Sequence, residues 1–470
     1  MSAARESLWS SAAPGLAAFG AVVLAIALAV SSGMYSPVAL ALVSIAGSAA
    51  LVGTFASAAH SPGTGRRATI GILALGIGTS WVHDLLFLPG VAADPAGLGA
   101  FRPALAVVGV ILLTYFWREP PGWVARIRFP VVVALGIALA ALVILASPAP
   151  GIDVWQIQQR GAIALLLGRN PYALAYANPY GPGTPFLDPS LLSPDGLRIL
   201  AYPYMPLVLL LDVPGVLLGD VRWTMLAALA ISALLVRALG KGSLEAELAG
   251  ALLLLQPQGW MVIELAWTEP LALAAVLLVA LAVARTASRT GDGSSAWKAW
   301  LVPGLAAALA ISTKQYVPLL LVSFLFLLPR EARARSILVA AAGAIALALP
   351  FLAIEPRAFV RGVLEFQLRQ PFRQDALSWP AALFALGGPK SPSWPAFVLA
   401  GATLVATLRG SVTIGRATLA SASAWIVFVA FNKQAFANYY WMGVGLLCAG
   451  VAVLTPSPPN GRSGTGNGSR

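Results

Sequence analysis

Residues 150–183, PGIDVWQIQQRGAIALLLGRNPYALAYANPYGPG, concentrate the side chains best able to do chemistry. Asp153 follows a strongly apolar run that ends near Ala149. Helical spacing then places Gln156, Gln159 and Arg160 on one face and Val154, Ile157, Gly161 and Leu165 on another, the pattern of a helix lying at a membrane interface. GRNPY at 168–172, with Asn170 and Tyr172, signals a turn. Farther along stand Glu264, Glu269, Lys314 and a series at intervals of four, Arg357, Arg361, Glu365 and Arg369, followed by Arg373. A carboxylate facing several cations suits activation of a hydroxyl opposite an anionic, phosphate-bearing leaving group. In so apolar a chain that phosphate is expected to belong to a lipid.

The composition limits what can carry these residues. With 59% hydrophobic and 10% charged residues and a mean hydropathy of +0.82, the chain falls outside the ordinary soluble class and reads as a polytopic membrane protein. Its single cysteine, Cys448, lies in an apolar run, which excludes a disulfide framework and a cysteine-rich metal site. The net charge of +12 points to nucleic acid only until the positions are read. The basic residues fall between apolar runs, where membrane topology accounts for most of them, so no nucleic-acid partner is expected.

Apolar runs near 14–33, 37–57, 69–89, 103–117 and 129–148 read as five crossings from a cytoplasmic N-terminus. Arg66 and Arg67, then Arg118, Arg126 and Arg128, mark the connections that stay in the cytoplasm, so Asp153 emerges on the extracytoplasmic side. The run 203–220 is short and contains Pro206, Asp212 and Pro214; if it crossed, Arg237 and Lys241 would lie outside. It therefore reads as half-buried or re-entrant. Runs near 223–239, 247–263 and 270–286 bring Glu264, Trp267 and Glu269 to the Asp153 side, with the basic loop 285–298 inside. Two short runs, 299–312 and 317–329, flank STKQY and leave Lys314 between two helix ends at headgroup depth.

After Arg330, Arg333, Arg335 and a run at 336–354, the next loop carries its arginines opposite Phe359, Val363 and Phe366, as a second interfacial helix would. A short apolar piece at 379–387 and runs at 394–408, 416–431 and 441–454 complete about fourteen crossings. NKQAFANYYW lies outside, and the tail 457–470 is expected to be disordered and cytoplasmic. The expected fold is an all-α polytopic membrane bundle with juxtamembrane helices on the extracytoplasmic side. Polar groups beyond those that topology requires collect on that side.

The order of these features resembles the GT-C superfamily of membrane glycosyltransferases. It has an Asp just past a transmembrane helix, an amphipathic juxtamembrane helix, L-x-G-x-N-P-Y at Leu166–Tyr172 and YPYMPL at 202–207. It is most similar to glycosyltransferase family 87, the polyprenyl-phosphate-mannose-dependent mannosyltransferases, whose short-helix lysine motif STKQYVPLL at 312–320 also resembles. The resemblance covers roughly residues 130–456. It divides the chain into a four-span N-terminal extension at 1–128, a GT-C-like catalytic module at 129–456 and the tail. An even number of added spans keeps the acid outside.

The resemblance implies inverting transfer of a sugar, mannose by analogy, from a polyprenyl-phosphate donor to a lipid or glycan hydroxyl on the extracytoplasmic face of the cell membrane. It implies no nucleotide sugar and makes Asp153 the general base; the sequence shows no Asp-x-Asp pair that would hold a metal for one, so a site with no metal and no other cofactor is expected. From the residues themselves we add Lys314, Arg369 and Arg373 as partners of the departing phosphate. Glu269, Asn170, Tyr172 and Gln156 are candidates for the sugar or acceptor.

Plainer roles compete with each assignment. Asp153 suits a helix cap, Lys314 an interfacial anchor, and the arginines of 357–373 a solvated face or a site for anionic lipid heads. Glu264 and Glu269 suit a solvated loop pair, His83 and Asp84 suit each other, and Tyr439, Tyr440 and Trp441 suit an aromatic belt. The rival functional classes are a transporter or lipid flippase, for which Asp212 and Gln256 are the clear intramembrane candidates, and an inactive GT-C-like scaffold.

Overall fold

The structure, a computed structural model, describes residues 3–57, 65–287, 297–409 and 412–455. Its helices are α1 (Ala3–Ser31), α2 (Pro37–Ala56), α3 (Arg66–Leu86), α4 (Phe101–Leu113), α5 (Gly122–Ala146), α6 (Asp153–Leu166), α7 (Pro206–Leu217), α8 (Arg222–Leu239), α9 (Leu244–Leu255) and α10 (Pro257–Glu264). They continue as α11 (Glu269–Ala287), α12 (Lys298–Ile311), α13 (Val317–Leu325), α14 (Arg330–Ile354), α15 (Pro356–Val360), α16 (Phe366–Leu368), α17 (Trp379–Ala385), α18 (Trp394–Thr407), α19 (Ile414–Ala430) and α20 (Ala437–Leu454). A π-helical turn, Arg361–Glu365, joins α15 to α16. The expected tail at 457–470 and much of the basic loop 285–298 lie outside the described residues.

Among the described residues eight helices, α1, α2, α3, α5, α8, α11, α14 and α20, are long and apolar enough to cross a membrane, and five shorter apolar helices accompany them. This is the make-up of a polytopic membrane protein. On α14 only 11% of the apolar window is buried, so Leu338, Ile345 and Ile354 point outward where lipid would meet them. Its inner side approaches α12 through small residues: a Cβ on Gly304 would lie 2.8 Å from the Val339 side chain, and one on Gly343 2.7 Å from Ala308. Small residues let membrane helices meet closely where no hydrophobic drive separates protein from lipid.

Local chemistry sets the helix ends. Ser36, Ser243, Ser378 and Thr413 each accept a backbone N–H in the first turn of α2, α9, α17 and α19. Pro257 holds Gln256 extended, at φ −68° and ψ 137°, and so divides one apolar run into α9 and α10. The Arg333 guanidinium takes the carbonyls of Leu325, Phe326 and Leu328, which ends α13 short of the expected run. α5 begins at Gly122, earlier than expected, because Arg128 is accommodated by Glu247 at 3.1 Å and by the Tyr115 ring at 4.3 Å.

The connections separate to two ends of the bundle. At one end Arg66 meets Glu245 at 2.6 Å, and Arg128 and Arg237 both meet Glu247 at 3.1 Å. At the other, the Glu264 carboxylate accepts the Val91 and Ala92 N–H groups, Leu377 N–H bonds the Ala435 carbonyl, and Tyr35 N–H bonds that of Asp375. α7 begins and finishes at this second end. Leu207 N–H reaches the Ser312 carbonyl, while Gln159 bonds both Gly219 O and Val221 N just past the last turn of α7. This path keeps both ends of α7 at one end of the bundle, and α8 then runs the length of the bundle from Arg222 to Arg237.

One feature differs from expectation. The all-α fold includes a short antiparallel pair, β1 (Tyr176–Ala177) and β2 (Arg198–Ile199), within the loop after α6. The 128/129 boundary coincides with no break in packing, because residues from Ala13 to Leu454 form one continuous core. A Cβ on Gly20 would touch Leu447, and Thr54 bonds Ser423, so the first helices are walls of the same bundle as the last.

Candidate functional site

Asp153 is the first residue of α6, with Ile152 in the N-cap position, so its side chain does not make the usual capping bond. Its Oδ1 accepts the Val154 N–H at 2.9 Å and the Tyr180 hydroxyl at 2.7 Å. Among the described residues no other side chain donates to the carboxylate. Burial raises its pKa above the ordinary aspartate value; the Tyr180 hydrogen bond, backbone N–H groups and the positive field of Arg373 oppose that rise. A half-buried carboxylate with a raised pKa is a stronger base than a solvated one.

Tyr180 is held by a turn that the chain uses twice. In Asn178-Pro179-Tyr180 the Asn side-chain oxygen accepts the Tyr180 N–H, as Asn170 accepts that of Tyr172 in Asn170-Pro171-Tyr172. The first tyrosine has a different fate. Tyr172, 2% exposed, donates its hydroxyl to the Tyr204 carbonyl and packs against Tyr202, Phe351 and Phe359 with centroids 4.8–5.2 Å apart. Each such aromatic pair adds about 0.5–1.5 kcal/mol beyond its burial. Tyr172, expected at the sugar or acceptor, thus packs in the core of the loop layer, and Asn170, expected there too, holds the turn that places it. The loop is ordered because it owns that core.

A second polar group forms where α11 starts and α12 ends. Lys314 pairs with Glu269 Oε1, which also accepts the Tyr316 hydroxyl at 2.9 Å. The ammonium lies 5.3 Å from the Tyr316 ring and 5.5 Å from the Tyr439 ring. The Glu269 carboxylate is wholly buried and the Lys314 side chain 13% exposed. Glu269 Oε2 and the hydroxyls of the neighbouring Thr268 and Ser312 are buried without a partner among the described residues. Since an ammonium has three N–H groups, Lys314 keeps donors beyond the one Glu269 takes.

The two groups meet through tyrosines. Burial, and then the fields of Asp153, Asp212 and Glu269, raise the Tyr204 hydroxyl's pKa. Tyr439, beside Lys314, is likewise in electrostatic reach of Glu269 and Asp153. Arg373 enters from the third side. Its guanidinium makes a fork with Asp375, lies 4.4 Å from the Phe186 ring and 4.7 Å from that of Phe436, and acts on Asp153.

Other expected residues stand elsewhere. Arg369 is on the exposed outer surface, bonded to Ser190 at 2.7 Å and near Glu365, where it and Lys433 act on Asp188. Gln156 lines an open groove on the face of α6 formed with Gln159 and Arg160, and Asp153 is not part of that lining. Glu264 clamps the 91–92 backbone. Asp84 accepts His83 and, at 2.7 Å, the Trp260 indole, as a paired role anticipates. Tyr440 and Trp441 are fully buried, contrary to an aromatic belt, because α20 is enclosed by neighbouring helices. Tyr180, Tyr204 and Tyr316 escaped the sequence reading; the repeated Asn-Pro-Tyr is the signal that could have found the first. Comparison with protein-family models, curated proteins and solved structures finds no match to this chain.

Proposed function

We propose that the chain is a GT-C-like glycosyltransferase of the cell membrane. It transfers a sugar, mannose by the family resemblance, from a polyprenyl phosphate to a hydroxyl of a lipid or glycan, with inversion. In this reading the bundle makes about fourteen crossings, both termini are cytoplasmic, and the Asp153 end faces the extracytoplasmic space. The single observation that supports it best is that the fields of Asp153 and Glu269 both act on Tyr204 and Tyr439, while Lys314 pairs with Glu269 and stands 5.5 Å from the Tyr439 ring.

The chemistry assigns each group a task. Asp153 accepts the proton of the acceptor hydroxyl as its oxygen bonds the anomeric carbon. The bond from that carbon to the phosphate oxygen breaks, and its electron pair leaves with the phosphate. Lys314 and Arg373 stabilise the charge gathered there, while Glu269 orients Lys314 and offers Oε2 to a sugar hydroxyl.

Membranes containing the protein, incubated with radiolabelled polyprenyl-phosphate-mannose, are expected to incorporate label into lipid or glycan, and Asp153→Asn to abolish incorporation. An active Asp153→Asn variant would refute the assignment. Asp212, fully buried and without a hydrogen-bond partner among the described residues, supports the transporter or flippase alternative. That alternative predicts the reverse, loss on Asp212→Asn and tolerance of Asp153→Asn.

A further inference from the structure

An open groove of about 1190 Å³ runs between α6 and the β1–β2 loop, on the face of α6 that Gln156 and Arg160 share. Arg160, Arg169 and Arg198 line it, with Trp155, Ile163 and Leu167 as part of its apolar wall. Among the described residues none lining it is acidic, and none of the three arginine side chains makes a hydrogen bond or ion pair with another residue. The nearby acids are engaged. Asp220 holds Arg222 and the Trp155 indole, and Asp195, within reach of Arg198, takes the Ser193 hydroxyl and the Leu197 N–H.

Three exposed guanidinium groups concentrated on one groove attract an anion, and their planar forks match phosphate oxygens. The groove's margin is apolar. Leu167 is 67% exposed, and Leu217 and Leu218, beside Gly219 of the lining, are 71% and 73% exposed. A soluble phosphate would leave those leucines in water, whereas acyl chains would cover them. We propose that this groove binds an anionic phospholipid, with the phosphodiester on the arginines and the chains along the leucines. It is separate from the Asp153 and Lys314 groups, none of which lines it, and it does not depend on sugar transfer.

The test is binding of dioleoylphosphatidylglycerol to the full-length protein in detergent, followed by native mass spectrometry, with dioleoylphosphatidylcholine and inorganic phosphate as competitors. The wild type is expected to retain phosphatidylglycerol against both. Combined Arg160→Gln, Arg169→Gln and Arg198→Gln is expected to weaken retention roughly tenfold or more, since each basic residue adds to attraction for anionic lipid. Arg102→Gln with Lys390→Gln, both exposed and outside the groove lining, is expected to leave it unchanged. Should the combined variant not fold, the three single variants each lower retention. Wild-type retention in the groove variants, an equal loss in the Arg102 and Lys390 pair, or displacement by inorganic phosphate or phosphatidylcholine as effective as by the anionic lipid overturns the proposal.

Discussion

A carboxylate becomes a useful base when its surroundings cost it solvation without removing its charge. Asp153 meets that condition, since burial raises its pKa while one tyrosine hydroxyl, backbone N–H groups and a distant guanidinium keep ionisation within reach. In the proposed reaction only the ionised form accepts the proton, so transfer falls as pH drops through this raised pKa. The Tyr180 bond favours the ionised form. Tyr180→Phe is therefore expected to raise the pKa further and move the acid limb of the pH–rate profile to higher pH. An unmoved limb would separate Tyr180 from the chemistry.

Lys314 and Glu269 invite a different test, because the glutamate is buried and depends on the lysine for compensation. Lys314→Met alone is expected to cost about 3–5 kcal/mol of stability, as removal of one partner of a buried pair does. Adding Glu269→Gln should recover much of that in thermal unfolding while transfer stays lost. The sequence showed both residues as candidates but assigned them separate tasks. Their spacing of 45 residues contains nothing that announces a pair.

At the scale of elements, α6 and the 356–368 helix were readable from their periodicity. Ile157, Phe359 and Phe366 are buried while Arg160, Arg357 and Arg361 are exposed, as an interfacial pattern requires. What periodicity could not reveal is how closely the second helix presses on the loop. A Cβ on Gly362 would lie 2.2 Å from the Tyr202 carbonyl oxygen, in the middle of the π-helical turn. Gly362→Ala is expected to destabilise by about 1–3 kcal/mol, as overpacking does, and to make the 171–205 loop more susceptible to limited proteolysis. Wild-type cleavage rates would argue that the helix stands free of the loop. That α7 starts and stops at one end of the bundle was legible for a simpler reason, since Arg237 and Lys241 could not both lie on the Asp153 side without upsetting the charge pattern of later loops.

For the whole molecule, a division of loops between two ends is expected from charge and hydropathy; among the described residues the connections near Arg66, Arg128 and Arg237 share one end and those near Val91, Asp375 and Ala435 the other. Orientation in the cell can be read with cysteine labels. Cys448 is fully buried and should stay silent. Ala175→Cys, exposed at the Asp153 end, is expected to react with an impermeant maleimide added to intact cells, and Glu331→Cys at the other end only after permeabilisation. The opposite pattern would put Asp153 in the cytoplasm and remove the extracytoplasmic reading.

The sequence by itself determined the membrane character and the position of most helices. Those properties arise from apolar length, proline position and charge bias, each of which is local along the chain. Only the tertiary structure decided that Tyr180 holds Asp153 while Tyr172, in the same Asn-Pro-Tyr turn, fills a core. It also decided that Lys314 meets Glu269, that the field of Arg373 acts on Asp153 while Arg369 bonds Ser190, and that the first helices share a core with the last. Each of these is a contact between segments far apart in sequence. The side chain that completes a site is selected by packing across that distance, and identical local turns can deliver their tyrosines to different places.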